Sequence, residues 1–294
     1  MRVLVTGANG MLGTDLCEML ETAGHEVVRT DIAARPEVDC ADWLPLDITD
    51  IGAVRAILTE TRPDCVIHTA AYTDVDGCER QPDRAFQANT LGTWCVASVC
   101  AARDILLVYI STDFVFDGTK TAPYTELDRP NPINHYGASK LGGEWFVSQL
   151  CRRYFVARTA WLYGTEGRCF PGRMIEFARS KTEINVVADQ FGSPTYTRDL
   201  AAAAIELLDC SNFGIYHIVN SGSCSWAELA ARTLELAGIR TMRIQPIPAS
   251  EYPSPTRRPV NSVLRRYALE LQNRDNMRPW HDALKDYVER LRRA

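Results

Sequence analysis

Short apolar runs alternate with stretches of helical periodicity along the first 160 residues of the chain. The apolar runs are rich in β-branched residues and nearly continuous in hydrophobic character, and they lie at 2–6, 26–30, 64–69, 105–110 and 153–159. Such runs are typical of strands that are covered on both faces. Helical patterns separate them, for example at 11–23 and 50–61. The alternation predicts an α/β fold built on a doubly wound parallel sheet.

The alternation ends after residue 160. Segments rich in Gly, Pro and Arg at 163–173 and 246–259 are interleaved with further helical patterns. These predicted helices cover 197–209, 225–237 and 261–271. The run IYHIV at 215–219 is typical of another core strand, so we expect the chain to return to the sheet. The later part of the chain therefore predicts a smaller lobe that is interleaved with the sheet domain.

The amino-acid composition of the chain argues against some classes of binding partner. The 294 residues are 46% hydrophobic, enough for a large buried core. A formal charge of −5 argues against nucleic acid or an anionic membrane as the main partner. The first predicted strand begins at residue 2 and no apolar window approaches 18 residues, so we expect a cytoplasmic protein. Ten cysteines without C-x-x-C and five histidines without H-E-x-x-H indicate reduced thiols and no metal site.

A glycine motif follows the first predicted strand and opens a helix. Gly7, Gly10 and Gly13 have the spacing G-x-x-G-x-x-G, with Met11 and Leu12 in the first helical turn. Glycines at this place allow a tight turn and close approach of the backbone to a pyrophosphate at the helix N-terminus. The motif therefore predicts a Rossmann sheet that binds a dinucleotide. The expected boundaries are 1–162 for the NAD(P)-binding domain, with a chain return at about 195–220, and 163–194 and 221–294 for the substrate-binding lobe.

Asp31 closes the second predicted strand, 18 residues after Gly13. An acid at this place accepts hydrogen bonds from the adenosine ribose and repels a 2′-phosphate, which favours NADH over NADPH. Arg29 and Arg35 lie close enough in sequence to offset the repulsion. The predicted cofactor is therefore NADH or NADPH.

The segment DIT at 47–49 follows a short apolar run at 44–46. Its position suits two interpretations. Asp47 and Ile48 either flank the adenine ring, or Asp47 is an ordinary acid at a helix N-terminus.

A tyrosine and a lysine stand four positions apart in the stretch HYGASKLGGE. The chain has only four lysines, so the pair Tyr136 and Lys140 is rarely expected by chance. Positions i and i+4 lie on one face of a helix. The spacing alone suits either a proton donor tuned by an ammonium or two neighbours on a helix surface.

Several motifs together resemble the extended short-chain dehydrogenase/reductases: the glycine motif, HTAA, QANTLG, STD and YGASK. The more specific segments STDFVFDG, RTAWLYG, DQFGSPTY and RRPVNSVL resemble the dTDP-4-dehydrorhamnose reductase family, over residues 2 to about 265. That family reduces the 4-keto group of a dTDP-linked 6-deoxyhexose and gives dTDP-L-rhamnose. The resemblance implies an NAD(P)H-dependent enzyme with a nucleotide-sugar substrate, and a homodimer is compatible with it.

The resemblance implies catalytic roles for three residues. Tyr136 would donate a proton to the ketone oxygen as hydride reaches the carbon. Lys140 would lower the pKa of that phenol and reach the nicotinamide ribose. Thr112 would hold the ketone oxygen, with Ser111 as the alternative for this role.

The resemblance also implies binding residues. Those expected near the cofactor are Ala70, Ala71 and Asn89, together with the glycine turn, Asp31, Asp47, Ile48, Tyr136 and Lys140. Those expected near the substrate are Thr73, Val75, Asp113, Trp161 and Arg258. Trp161 has an equally good interpretation as a core tryptophan, and Asn89 one as a support of the catalytic groups.

The sequence departs from the family pattern at Cys169 and Arg173, where relatives usually have an Asn-Phe pair and a nearby lysine, and at His135, where they have valine. We expect Cys169 and Arg173 to alter the part of the site that grips the nucleotide sugar. Three alternatives stay open: a different product such as a 6-deoxytalose, an epimerase that uses NAD without net turnover, and a non-catalytic regulatory subunit on the same fold.

Overall fold

The computed structural model describes residues 1–33 and 43–293. Within these residues, seven parallel strands form one sheet. In chain order they are β1 (Arg2–Thr6), β2 (Glu26–Asp31), β3 (Trp43–Pro45), β4 (Cys65–His68), β5 (Leu106–Thr112), β6 (Tyr154–Thr159) and, after the short strands of the lobe, β11 (Gly214–His217). Their spatial order is β11-β6-β5-β4-β1-β2-β3, and every neighbouring pair is parallel. The predicted doubly wound α/β sheet is confirmed.

Helices cover both faces of the sheet. They are α1 (Met11–Thr22), α2 (Ile51–Thr61), α3 (Val75–Arg80), α4 (Pro82–Phe86), α5 (Thr93–Ala102), α6 (His135–Leu150), α7 (Phe170–Phe177), α8 (Thr197–Glu206), α9 (Trp226–Ala237), α10 (Tyr267–Leu271) and α11 (Trp280–Arg293). A π-helical segment, Gln87–Gly92, joins α4 to α5. Among the described residues, no helix is long and apolar enough to cross a membrane.

The pleat of β1 explains the two cores. Val3 and Val5 point into one apolar cluster, and Leu4 points into another on the opposite face. Successive side chains of a strand alternate between the two faces of its sheet, so a continuous apolar run serves both layers. The covered runs recognised in the sequence are therefore the central strands.

The remaining strands are short pairs outside the main sheet. They are β7 (Leu162–Tyr163) with β10 (Thr195–Tyr196), β8 (Glu183–Val187) with β13 (Arg243–Ile247), and β9 (Phe191–Gly192) with β12 (Cys224–Ser225). Between them the chain returns to the sheet, because β11 pairs with β6. The proposed boundaries between the domain and the lobe stay a prediction.

The prediction of a helix over 261–271 is wrong in its first half, since α10 begins at Tyr267. The preceding residues are extended because the chain on either side uses their backbone groups. The N–H of Tyr124 donates to Val263 O (2.8 Å), and the N–H of Arg265 donates to Tyr124 O (2.7 Å). Long-range backbone pairing therefore replaces the local helix.

Candidate active site

A cleft of about 940 Å³ opens at the carboxyl ends of the central strands, where the strand order reverses between β4 and β1. Ligands of open α/β sheets bind at such a reversal. The predicted site residues that line it are Gly7, Gly10, Met11, Leu12, Gly13, Asp31, Asp47, Ile48, Ala70, Ala71, Thr73, Val75, Thr112, Asp113, Tyr136, Lys140, Trp161 and Arg258. Asn89 does not border the cleft. The fold therefore gathers residues from almost the whole chain into one place.

The turn between β1 and α1 has no room for side chains at two of its glycines. Gly7 has φ +69°, and a Cβ there would come within 2.7 Å of Ala70 N. A Cβ at Gly13 would overlap the Gly7 carbonyl and come within 2.7 Å of Ala8 Cα. Gly7 lets the turn lie against the segment that follows β4, and Gly13 lets the first turns of α1 pack on the turn itself.

Asp31 lies at the end of β2 and supports the glycine turn. Its carboxylate accepts hydrogen bonds from the backbone N–H of Asn9 (3.1 Å) and of Ile32 (2.8 Å). Arg29 forms an ion pair with Glu21 on α1 (2.7 Å). Arg35 lies outside the described residues, so the expected offset of the Asp31 charge stays a prediction.

The structure separates the two interpretations of Asp47. Asp50 is the N-cap of α2, since its carboxylate accepts from the N–H groups of Gly52 and Ala53. Asp47 instead accepts from the backbone N–H (2.9 Å) and the hydroxyl (2.7 Å) of Thr49, one turn before the helix. Asp47 is therefore not the cap of α2, although it lies just before that helix, and its place on the cleft wall beside Ile48 leaves the adenine interpretation as a proposal.

Asn89 is completely buried in the π-helical segment and supports the cleft wall from behind. Its Oδ1 accepts from the backbone N–H of Tyr72 (2.7 Å), and its Nδ2 donates to Tyr72 O (3.1 Å) and to Ser139 Oγ (3.0 Å). Both amide groups are thus engaged by protein. This geometry favours the supporting role over direct contact with a cofactor.

The end of β5 distinguishes Thr112 from Ser111. Ser111 also lines the cleft, but its hydroxyl donates to the buried Glu144 (2.5 Å). The Thr112 hydroxyl lies on the cleft wall and within hydrogen-bonding reach of Tyr136, whose pKa it lowers. Thr112 is therefore the better placed of the two to hold a ketone oxygen.

Asp113 follows Thr112 and is almost completely buried. Its Oδ1 accepts from the Thr112 hydroxyl (3.0 Å), while its Oδ2 has no hydrogen-bond partner. Burial raises the pKa of Asp113 to about 6, and the nearby Ser262 and Thr112 hydroxyls act in the opposite direction. Asp113 therefore titrates far closer to neutrality than an exposed aspartate.

Tyr136 lies in the first turn of α6, where Asn134 caps the helix by accepting from the N–H of Gly137 (2.8 Å). The expectation that Lys140 lowers the phenol pKa stays a prediction. In this structure burial raises the pKa of Tyr136 well above its ordinary value. The negative charge of Asp113 acts in the same direction. Tyr136 is consequently a protonated phenol at neutral pH.

Lys140 is buried one turn further along α6. Its Nζ lies 4.2 Å from the ring centroid of Tyr109, a cation–π contact. Burial lowers the pKa of Lys140 to about 7, and the negative charge of Glu144 acts in the opposite direction. A small change around this ammonium can therefore decide its charge at neutral pH.

A buried ion pair behind the catalytic helix has no counterpart in the sequence-based prediction. Arg158 at the end of β6 donates from Nε (2.9 Å) and Nη2 (2.7 Å) to the two carboxylate oxygens of Glu144 on α6. Both side chains are almost completely buried. With Ser111 as a third partner, the pair joins β5, β6 and α6 directly behind the cleft. Glu144 lies eight residues after Tyr136 on α6. This helical spacing is the sequence signal that Glu144 lies near the same face of the helix as Tyr136.

Arg258 and Asp76 meet at the rim of the cleft, 182 residues apart in sequence. The Arg258 guanidinium donates to Asp76 Oδ1 (2.9 Å) and to the Ser254 hydroxyl. Asp76 also accepts from Thr256 (2.7 Å). The loop that carries Arg258 is thereby attached to α3.

The structure contradicts the expected position of Cys169. Its thiol is buried and contacts the Tyr287 hydroxyl at 3.2 Å, because residue 169 lies immediately before α7, under α11. Arg173 lies 5.1 Å from the Phe177 ring and does not line the cleft. The cleft cations that the sequence did not reveal are Arg84 and Arg168, from segments without a recognisable motif.

Comparison with known proteins agrees with this geometry. The family model described as RmlD substrate binding domain matches residues 1–293. The chain is 40% identical to the spore coat polysaccharide biosynthesis protein SpsK of Bacillus subtilis, over 98% of this chain and 97% of that protein.

Two solved structures are similar over nearly the whole chain. The crystal structure of a dTDP-4-dehydrorhamnose reductase from Clostridium acetobutylicum has a TM-score of 0.93 and 41% identity, covering 99% of this chain and 100% of that one. The dTDP-4-dehydrorhamnose reductase of Bacillus anthracis, in complex with NADP, has a TM-score of 0.92 and 39% identity, covering 98% and 99%.

Proposed function

Because the chain belongs to the family described as RmlD substrate binding domain, we propose that it reduces the 4-keto group of a nucleotide-linked 6-deoxyhexose with NADH or NADPH. The substrate we name is dTDP-4-dehydro-L-rhamnose, and the product is dTDP-L-rhamnose. One observation supports this most directly: Thr112, Tyr136 and Lys140 line the same cleft as the glycine turn. Carbonyl reduction needs this combination of a proton donor and a dinucleotide site.

The residues of the cleft fit a nicotinamide dinucleotide. Side chains have no room at Gly7 and Gly13, and the glycine turn lines the cleft at the N-terminus of α1, where it would hold the pyrophosphate. Asp31 and Asp47 would hold the adenosine half, and Lys140 the nicotinamide ribose. When bound, the cofactor supplies the hydride that the ketone carbon receives.

The proton comes from Tyr136. Its phenol is protonated at neutral pH, as a proton donor must be, and because burial raises its pKa, release of the proton depends on a neighbouring positive charge. Thr112 orients the ketone oxygen toward it, and the positive charge of Lys140 stabilises the phenolate left behind. These roles explain why a hydroxyl, a phenol and an ammonium are needed together.

Arginines at the cleft support an anionic substrate. Arg258 has a planar guanidinium suited to two phosphate oxygens, and Arg84 and Arg168 add positive charge to the wall. A nucleotide diphosphate is the ligand class that these cations favour. Trp161 also lines the cleft, where its indole would contact the sugar or base.

The test follows oxidation of NADH and NADPH with freshly prepared dTDP-4-dehydro-L-rhamnose and identifies the sugar that is formed. We expect cofactor oxidation and dTDP-L-rhamnose. No oxidation above background would contradict the proposal and favour a non-catalytic subunit. A 6-deoxytalose product would favour the alternative reductase.

Cofactor choice gives a separate prediction. Asp31→Asn is expected to raise the ratio of kcat/KM for NADPH over NADH by about tenfold, because it removes the charge that repels a 2′-phosphate and keeps an oxygen that can accept from Asn9. Steady-state kinetics with both cofactors measure the ratio. Asp31→Ala, which also removes that oxygen, should lower activity with both. A wild-type enzyme that strictly requires NADPH would contradict this role of Asp31.

We also propose that the protein works in the cytoplasm and without a nucleic-acid partner, in line with its charge of −5.

A homodimer is the assembly we propose. Its support is an exposed aromatic face, where Trp94 of α5 (37% exposed) and Trp145 of α6 (57% exposed) both lie near the Phe146 ring.

A further inference from the structure

Lys140 holds an ammonium in the cleft without a direct partner of opposite charge. Its side chain is almost completely buried, and within residues 1–33 and 43–293 it forms no ion pair. Its Nζ contacts the Tyr109 ring instead. A buried ammonium is costly unless an opposite charge lies near it. The surroundings of Lys140 must therefore offset this cost without a direct contact.

Three rings around Lys140 are uncharged at neutral pH. Burial raises the pKa of Tyr109 on β5 well above its ordinary value, and it does the same for Tyr136, one turn earlier on α6. His68 on β4 stacks on Tyr109, with ring centroids 5.6 Å apart. Burial lowers the pKa of His68 to about 3, and the charge of Lys140 acts in the same direction. These rings therefore provide no negative charge.

Glu144 is the charged group that acts on Lys140. It follows Lys140 by four positions on α6, and positions i and i+4 lie on one face of a helix. Both side chains are almost completely buried, so solvent and salt screen their interaction little. The negative charge of Glu144 raises the pKa of Lys140 against the larger effect of burial. Asp113, a buried carboxylate that lines the cleft, acts on Tyr136 instead.

The Glu144 carboxylate is fixed by three donors from two strands. Arg158 on β6 donates from Nε (2.9 Å) and Nη2 (2.7 Å), and Ser111 on β5 donates from its hydroxyl (2.5 Å). Such hydrogen bonds favour the charged form of a carboxylate and hold it in one place. Because the carboxylate is engaged there, the ammonium of Lys140 stays available to the cleft that it lines.

We propose that Glu144 is a positioning residue for the reaction, and that its buried carboxylate, held by Arg158 and Ser111, keeps Lys140 positively charged. This inference rests on the proposed function, in which that charge stabilises the phenolate of Tyr136. A carboxylate one helical turn away offsets part of the cost of burial without occupying the ammonium. The ion pair of Glu144 with Arg158 thus serves the chemistry as well as the packing of α6 on the sheet.

The first test measures the titration of Lys140 directly. The chain has only four lysines, so lysine that is isotope-labelled at Cε gives few NMR signals, and Lys140→Arg identifies the signal of Lys140. In the cofactor-free protein, Glu144→Gln should lower the pH at which this signal is half-titrated by about one unit, because it removes the charge that favours the ammonium. Glu235→Gln, which removes the same charge at an exposed position of α9, should leave the titration unchanged.

The second variant is Glu144→Leu/Arg158→Met. Glu144→Gln leaves Arg158 buried without its partner, whereas replacing both members of a buried ion pair is often neutral for stability. The double variant should shift the Lys140 titration in the same direction, so the test remains available if Glu144→Gln folds poorly. Both variants lack the carboxylate and differ in stability. A downward shift in both therefore reports the missing charge and not a weakened fold.

The pH dependence of turnover connects this charge to the reaction. The charged form of Lys140 is lost as the pH rises through its pKa, so activity should fall on the alkaline side. In Glu144→Gln, the alkaline limb of kcat/KM for dTDP-4-dehydro-L-rhamnose should move to lower pH by as much as the NMR titration does. Tyr136 does not titrate in this range, because burial raises its pKa well above the ordinary value.

An unshifted Lys140 signal in both variants would overturn the inference whether or not the wild type is active, because the NMR titration needs neither cofactor nor substrate. An alkaline limb that stays in place while the signal shifts would also overturn it, since Lys140 would then not need its charge for turnover. A shifted signal in a protein whose wild type reduces no keto sugar would contradict the proposed function and support the action of Glu144 on Lys140.

Discussion

Tyr136→Phe is expected to lower kcat by about 10²–10⁴, the usual contribution of a positioned general acid, with little change in cofactor affinity. The substitution removes only the phenol hydroxyl, while the ring keeps its edge contact with Phe114 (5.8 Å between centroids). Single-turnover kinetics with NADPH and the keto sugar measure the chemical step, and fluorescence titration measures cofactor binding.

A matched control is Tyr252→Phe, since Tyr252 is half exposed and lies outside the cleft lining. It should leave both quantities unchanged. Near-normal turnover by Tyr136→Phe would show that another group delivers the proton. Asp113, with its pKa near 6, would then be the group to examine next.

Arg158→Met is expected to lower the free energy of unfolding by about 3–5 kcal/mol, because it leaves Glu144 as a buried charge without its partner. The loss is large because Glu144 has few alternatives in its surroundings. Ser111 gives it a single hydrogen bond, and the Glu144 side chain is almost completely buried. Urea unfolding followed by circular dichroism measures the difference.

The double variant Glu144→Leu/Arg158→Met separates the charge from the packing. Replacing both members of a buried ion pair by apolar residues is often neutral or stabilising, so most of the lost stability should return. Arg232→Met, which breaks an exposed pair with Glu235, should cost less than about 1 kcal/mol. A loss of that small size in Arg158→Met would mean that water reaches Glu144 readily.

The sequence predicted the sheet well because its central strands carry local signals. A continuous β-branched run is a property of a few neighbouring residues. β1 ends at Thr6, directly before the glycine motif, and β5 ends at Thr112, within the motif STD. Since the carboxyl ends of parallel strands share one edge, the approximate location of the site followed from the fold class.

Long-range relations account for what the sequence did not reveal. The pair of Glu144 with Arg158 and the space that Gly192 leaves for Trp161 join segments that are distant along the chain, and each residue alone has an ordinary local interpretation. The pKa of Tyr136 is a similar case. The direction in which this pKa is shifted depends on burial and on the negative charge of Asp113, whereas the motif shows only the lysine.

The π-helical segment that carries Asn89 also restricts how the chain length can vary. A π segment spans one more residue between hydrogen-bonded groups than the flanking α-helix, and each residue rotates an α-helix by about 100°. Removing one residue from Gln87–Gly92 would turn Asn89 away from Tyr72 or turn α4 away from α6. Insertions and deletions that preserve activity should therefore avoid these six residues and occur in surface loops, where no such rotation is transmitted to the cleft.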